Sequence, residues 1–229
     1  QVAVAVSNVR LVERLDQLNW GTLTALARAI DAKSGWTAGH SERVTQVALR
    51  IGRAMGLPQR DLEILHRGGL LHDIGKIATP PGILDKPGKL DPEERRIMQD
   101  HVRAGARILE PITGFADTLP IVLHHHEWFD GSGYPAGLAG EEISLHGRIF
   151  AVADVYDALT TDRPYRAGWE EQRALDYIRE KAGTQFDPHV VEVFLKLMCR
   201  SESKQETRPE TLPRAEQSPQ GSVAVGGSD

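Results

Sequence analysis

Leu70-Leu71-His72-Asp73-Ile74-Gly75-Lys76 is the stretch from which the rest of this chain can be read. An apolar helical segment from about Asp61 to Leu71 ends in an imidazole and a carboxylate side by side. Adjacent ligands at a helix end can both turn toward one ion, and an aspartate has two oxygens with which to bridge a second. Lys76 lies one turn on from His72, within reach of a phosphate oxygen held at such a site. By itself the pair is weak evidence, because a helix-terminal histidine beside a solvated aspartate is commonplace. Its company changes that. His40 lies upstream, and His101, His125-His126 and Asp154 follow at distances that a folded helical bundle would close. These seven imidazoles and carboxylates include no thiolate and suit Fe, Mn or Zn at two neighbouring positions. A two-metal site of that kind serves phosphate-ester hydrolysis.

The 229 residues allow one good-sized domain with extensions. A hydrophobic content of 40% is enough for a core, and a net charge of −5 gives no general attraction to nucleic acid polymers or anionic membranes. A phosphate-bearing ligand must therefore be drawn by local cations or metal. No apolar run approaches the ~20 residues of a membrane span. The opening QVAVAVSNVR has neither an initiator methionine nor the charged start of a signal peptide. With a single cysteine, Cys199, no internal disulfide can form. These features read as a cytoplasmic piece of a longer protein.

Residues 8–33 read as one long helix, in which Leu11, Leu15, Leu18, Thr22, Ala25 and Ala29 form a heptad-like seam. Two readings fit: a first helix packed on the core, or a signalling helix that pairs with its copy in a homodimer. Residues 1–24 are set apart as a linker, and QVAVAVSNVRLVERL resembles the last helix of an upstream GAF-like sensor domain. Val44, Val47, Ala48, Ile51 and Met55 share a face of the next helix, which Gly56 and Pro58 close. Asp91-Pro92-Glu93-Glu94 predicts a strong helix start with Asp91 as N-cap, and that helix carries His101 and stops before Pro111. Further helices are expected over 115–128, 147–159, 170–182 and 188–199. No period-2 alternation appears, so the fold class is all-α. Residues 78–90 and 130–140 read as loops, the first rich in proline and the second in glycine. Residues 200–229 read as a disordered polar tail, which leaves 25–199 as the folded domain.

His124, His125 and His126 cannot all face one way on a helix, since each step turns about 100°. A site lying between neighbours takes two of them. His125 and His126 are the choice, with His124 outside and Glu127 able to orient a ring. Asp154 has apolar flanks in Ala151, Val152, Val155 and Leu159, so its carboxylate points inward, where it needs a metal or a buried arginine. Asp157 shares its face. Arg163 and Arg166 make a natural clamp for phosphate or guanine. His40 taken alone would more often cap a helix than bind a metal, and His66, His146 and His189 keep that ordinary reading.

Several segments, in order, resemble the HD-GYP family, a subgroup of the HD phosphohydrolases. They are AIDAKSGWTAGHSERV, LLHDIGKI, PGILDKPGKL, HHHEWFDGSGYPAGLAGEEI, FAVADVYDALTTDRPYR and AGTQFDPHVVEVF, and they run from about residue 25 to 197. HDIGK together with HHExxxGxGYP is the specific part. The resemblance implies an HD-type helical bundle with a C-terminal GYP helical extension. It also implies a cyclic di-GMP phosphodiesterase that yields linear pGpG, with a second cut to GMP left open. As metal ligands it implies His40, His72, Asp73, His101, His125, His126 and Asp154, holding two divalent ions, Fe or Mn. Lys76 would contact the scissile phosphate beside Asp73 at the catalytic centre, while Tyr134, Arg163 and Arg166 would line the substrate side. The Gly133-Tyr134-Pro135 loop would shape substrate access and contacts with diguanylate cyclase (GGDEF) domains. Some members carry a glutamate four residues before the first histidine that helps hold a third metal. Trp36 stands at that position, so a binuclear centre is expected. Three alternatives stay open: an HD phosphohydrolase acting on nucleoside triphosphates or (p)ppGpp, a hydrolase of another cyclic dinucleotide such as a mixed GMP–AMP ring, and a catalytically silent domain that binds cyclic di-GMP or a cyclase.

Overall fold

A computed structural model describes residues 2–34, 37–162 and 167–205. Within them the chain forms helices α1 (Val2–Asp31), α2 (His40–Ala54), α3 (Gln59–Leu71), α4 (Pro81–Leu84), α5 (Pro92–Gln99), α6 (His101–Leu109), α7 (Leu119–His124), α8 (Leu145–Thr160), α9 (Glu171–Glu180) and α10 (Pro188–Gln205). Short 3-10 turns cover Ile74–Ala78, Thr113–Phe115 and Gly140–Glu142. The described residues contain no strand beyond two isolated bridges, and the fold is all-α. No helix among them is long and apolar enough to cross a membrane.

Helix punctuation follows the residues. Gly56, at φ +76°, turns the chain left-handed just past α2, and its N–H donates to Arg53 O at 3.0 Å. α5 opens with a complete capping box: Asp91 accepts the Glu94 N–H at 2.9 Å, and Glu94 accepts the Asp91 N–H at 2.9 Å. Two expected helices are divided or cut short. The one drawn from Pro92 towards Pro111 is α5 and α6, parted at Asp100. There the Met98 carbonyl accepts the His101 ring N–H at 2.7 Å, and Asp100 stands as a single turn residue between the two helices. The one drawn over 115–128 is shorter, because a turn with the Glu127 N–H donating to His124 O at 3.0 Å ends α7. His125 and His126 therefore lie just past a helix rather than within one.

Two apolar clusters hold the bundle. The larger packs Val44, Ile51, Leu65, Ile149, Phe150, Ile178, Phe186 and Phe194 between α2, α3, α8, α9 and the segment around α10. The smaller joins Leu23, Ala27 and Ile30 of α1 to Leu70, Leu71, Ile74, Leu109 and Val122. α1 runs unbroken through residue 24, and its core contacts begin at Trp20, which packs on the smaller cluster and stacks on His66. The turns before that leave Leu11, Leu15 and Leu18 exposed at 57%, 56% and 66%. At the other end α10 continues to Gln205, past the expected boundary at residue 199, and residues 206–229 lie outside the described residues.

Candidate metal centre

Each predicted ligand stands at a helix end or faces the bundle interior. His40 is the first residue of α2, and Asp31, at the end of α1, accepts the Ser41 N–H at 3.1 Å and the Ser41 hydroxyl at 2.7 Å to fix that start. His72 and Asp73 follow α3, His101 opens α6, His125 and His126 follow α7, and Asp154 sits on α8. Gly75 is the hinge of the arrangement. A Cβ there would lie 1.8 Å from His101 O and 2.4 Å from Gly105 N, so only glycine lets the turn after Asp73 lie against α6. That contact brings His101 Nε2 to 3.3 Å from Asp73 Oδ1.

The donors fall into two groups, His40–His72–Asp73 and His101–His125–His126, and within each the donor atoms lie within 4.8 Å of one another. Asp73 faces both groups. Its Oδ2 is 3.2 Å from His72 Nε2 and 3.8 Å from His40 Nε2, while its Oδ1 faces His101. Asp154 Oδ1 is 3.2 Å from His40 Nε2. Lys76 Nζ donates to Asp73 Oδ2 at 2.5 Å.

The far nitrogen of each ring decides how the near one is presented. His72 Nδ1 donates to Gly69 O at 2.7 Å, His101 Nδ1 to Met98 O at 2.7 Å and His125 Nδ1 to Val122 O at 2.9 Å. A carbonyl only accepts, so Nδ1 carries the proton and Nε2 offers a lone pair to the centre. His40 Nδ1 instead meets Asp157 Oδ2 at 2.7 Å, and Arg43 grips Asp157 through both oxygens at 2.6 and 3.0 Å. His72 Nε2 and Asp73 Oδ1 are buried without a hydrogen-bond partner. An unmet buried acceptor costs about 1–3 kcal/mol, and a divalent cation removes that cost at both atoms. The residues present fit a metal.

Charges in the two groups differ. Burial alone would raise Asp73, but the neighbouring charges, the Lys76 ammonium foremost, outweigh it and hold the carboxyl well below the usual carboxylate range. Asp154 is likewise lowered: burial opposes ionisation, and His40 overrides it. Burial also opposes a charge on His40, yet Asp154 and Asp157 push it up to about 9. In the second group burial, reinforced by neighbouring rings, pulls His125 well below its ordinary value, and burial takes His126 down to about 3.

Glu127 has a different task from the one expected. Its buried carboxylate accepts N–H bonds from Ala136 at 2.7 Å and from Gly137 and Leu138 at 3.1 Å, so it organises the glycine-rich loop rather than a histidine ring. That loop returns over the centre. Tyr134 stacks on His126 with ring centroids 4.8 Å apart, its N–H donates to His126 O at 3.1 Å, and burial raises its hydroxyl so that it stays protonated. A Cβ on Gly133 would lie 2.2 Å from Trp128 N, which explains the glycine before the tyrosine. His124 stands outside the centre, where its Nδ1 accepts the Ser144 N–H at 3.2 Å. Trp36, Arg163 and Arg166 lie outside the described residues. The reading from sequence missed Arg43, whose only signal was its place one turn after His40.

The HD domain family matches residues 24–190. The cyclic di-GMP phosphodiesterase response regulator RpfG of Xanthomonas campestris is 43% identical over 177 residues, which cover 76% of this chain and 47% of that protein. The 3′3′-cGAMP-specific phosphodiesterase 3 of Vibrio cholerae is 45% identical over 166 residues, covering 72% of this chain and 36% of that protein. Thus the chain spans less than half the length of these curated relatives. Among solved structures, a cyclic GMP-AMP specific phosphodiesterase of V. cholerae matches with a TM-score of 0.60 at 22% identity, over 80% of this chain and 49% of the other. The HD domain of the phosphodiesterase PgpH of L. monocytogenes, in complex with cyclic di-AMP, gives 0.58 at 18% identity over 82% and 100%. At those identities the likeness is one of fold. The chain belongs to the HD-domain family and, within it, to the HD-GYP type.

Proposed function

We propose that this domain is a metal-dependent phosphodiesterase that hydrolyses cyclic di-GMP to linear pGpG. Its metal ligands are His40, His72, Asp73 and Asp154 on one side, and Asp73, His101, His125 and His126 on the other. The observation that carries this reading is Asp73, whose two oxygens face both groups while Oδ1 and the neighbouring His72 Nε2 lack any hydrogen-bond partner. Two divalent ions, if held there, would supply Lewis acidity toward phosphoryl oxygens and would acidify water toward neutrality.

The chain's own groups do the remainder. Asp73 balances charge between the two groups and sets their spacing. Lys76, paired with Asp73 Oδ2, is placed to turn its ammonium onto a non-bridging phosphate oxygen, where charge builds as the bond from phosphorus to the 3′ oxygen breaks. Water adds across that bond, leaving a 5′-phosphate and a free 3′-hydroxyl. Tyr134 presents an aromatic face and a protonated hydroxyl on the substrate side, and Arg163 and Arg166 form the phosphate or guanine clamp. GMP is the product if a second cut follows.

Fe or Mn suits the all-nitrogen-and-oxygen donor set. Residues 1–24 serve as the signalling helix from an upstream GAF-like domain, and the exposed Leu11, Leu15 and Leu18 form a homodimer seam. Residues 25–205, through the end of α10, form the catalytic domain and 206–229 the polar tail. The Gly133-Tyr134-Pro135 loop is the docking site for a GGDEF partner, and the cytoplasm is the compartment.

Protein loaded anaerobically with Fe(II) or Mn(II) is mixed with cyclic di-GMP and the products are separated by chromatography. Appearance of pGpG or GMP, abolished by a chelator, is the expected result. Faster turnover of 3′3′-cGAMP, the substrate named for the Vibrio relative, would reassign the substrate. No product despite confirmed metal occupancy would leave a silent binding domain.

A further inference from the structure

Just past α1, the Lys33 side chain crosses to the Ile74–Ala78 turn. Its ammonium donates to three main-chain carbonyls: Lys76 O at 2.7 Å, Ile77 O at 2.5 Å and Thr79 O at 2.7 Å. A 3-10 turn of five residues is too short to hold itself, and its last carbonyls are the negative end of its dipole, where a cation is favoured. The turn is gripped on one side by the backbone contact at Gly75 and on the other by Lys33. It starts from Asp73 and carries Lys76. The residues flanking Lys33 reach other pieces around the centre: Asp31 holds Ser41 beside His40, and the Ser34 hydroxyl donates to Asp85 at 2.8 Å.

We propose that Lys33 is a positioning residue for Lys76, its grip on the main chain at Lys76, Ile77 and Thr79 setting where the Lys76 ammonium stands relative to Asp73 and the scissile phosphate. The inference rests on the phosphodiesterase reading and deepens it. Without the Lys33 ammonium three carbonyls lose their shared donor, and the end of the turn is free to shift with Lys76 on it. His72 and Asp73 keep their places, because α3 and the contact with α6 hold them independently. A displacement of about 1 Å at a reacting group costs on the order of 100-fold in rate.

The test compares Lys33→Met and Lys33→Arg in Mn(II)-loaded protein. Lys33→Met should lose about 10- to 100-fold in kcat with KM unchanged. Its metal content by elemental analysis should be full, and amide exchange should quicken only at residues 74–79. Lys33→Arg, which keeps a cation there, should restore most of the rate. Lys33→Met added to Lys76→Ala should slow the enzyme no further, because one residue acts through the other. Full kcat in Lys33→Met, unaltered exchange at 74–79, additive losses in the double variant, or metal loss that matches the rate loss would each overturn the proposal. If Lys33→Met does not fold, Lys33→Gln is judged by the same criteria. Absence of turnover in the unaltered protein would sink the phosphodiesterase reading itself, a failure distinct from an active enzyme indifferent to Lys33.

Discussion

The two halves of the candidate centre are built from different chemistry. The His40–His72–Asp73 group, with Asp154 alongside, is rich in carboxylate, and its outermost ring is tied to an Asp157–Arg43 pair. The His101–His125–His126 group is all imidazole, and two of its rings are tied to backbone carbonyls that cannot titrate. In the first group a proton can stand where a metal would, since His40 is pushed up to about 9 by its carboxylates. In the second, burial keeps His125 and His126 neutral, and Asp73 brings a carboxylate to the site. One half is therefore tuned by charge and the other by desolvation, with Asp73 common to both.

Asp73→Ala strikes both halves at once and should have the largest effect, a fall in turnover on the order of 1,000-fold or more with loss of most bound metal by elemental analysis. Loss of metal from one half alone would mean that Asp73 does not bridge. Lys76→Ala should keep both ions yet lose about 100-fold or more in kcat; normal turnover would remove Lys76 from the mechanism. Asp157→Asn should weaken metal binding by about 10- to 100-fold in the His40 half only, seen as a titration in which one ion per chain is retained at a concentration that strips the other. Equal weakening of both would erase the distinction. Glu127→Gln should leave metal content intact and raise KM several-fold, roughly the loss of one charge-assisted hydrogen bond, because the loop bearing Tyr134 loses its anchor.

The smallest effect concerns pH. In metal-free protein His40 binds its proton more tightly folded than unfolded, so its contribution is present below its ordinary value near 6.5 and is lost as pH rises through about 9. His126, lowered to about 3, behaves oppositely: below pH 6.5 the unfolded chain gains a proton that the folded one refuses, so stability falls on the acid side. Thermal unfolding of the metal-free protein should be most resistant near pH 6.5 and should weaken on both sides. A flat profile above that pH would mean that His40 is not held by Asp154 and Asp157.

Much of this was legible in the residues because helix punctuation and metal chemistry are both local. Asp91 with Glu94, Gly56 after Met55, and the His72-Asp73 pair at the end of an apolar run each carry their meaning within a few positions. Two of the departures lie beside ligand histidines. The break at Asp100 and the early end of α7 fall beside His101 and His125, whose rings face partners far along the chain, and no local propensity records that demand. The same is true of Glu127, which was read as a neighbour of the rings but is claimed by three amides of a loop still to come.

By itself the sequence determined the helical class and the residue types able to hold a metal, since these depend on periodicity, capping and donor chemistry, and its HDIGK and HHExxxGxGYP motifs carried the family resemblance. Only the tertiary structure decided that Asp73 faces both groups, that Arg43 and Asp157 stand behind His40, and that Lys33 grips the turn under Lys76. Those relations join residues 28 to 117 positions apart, and packing alone brings such distant side chains close together.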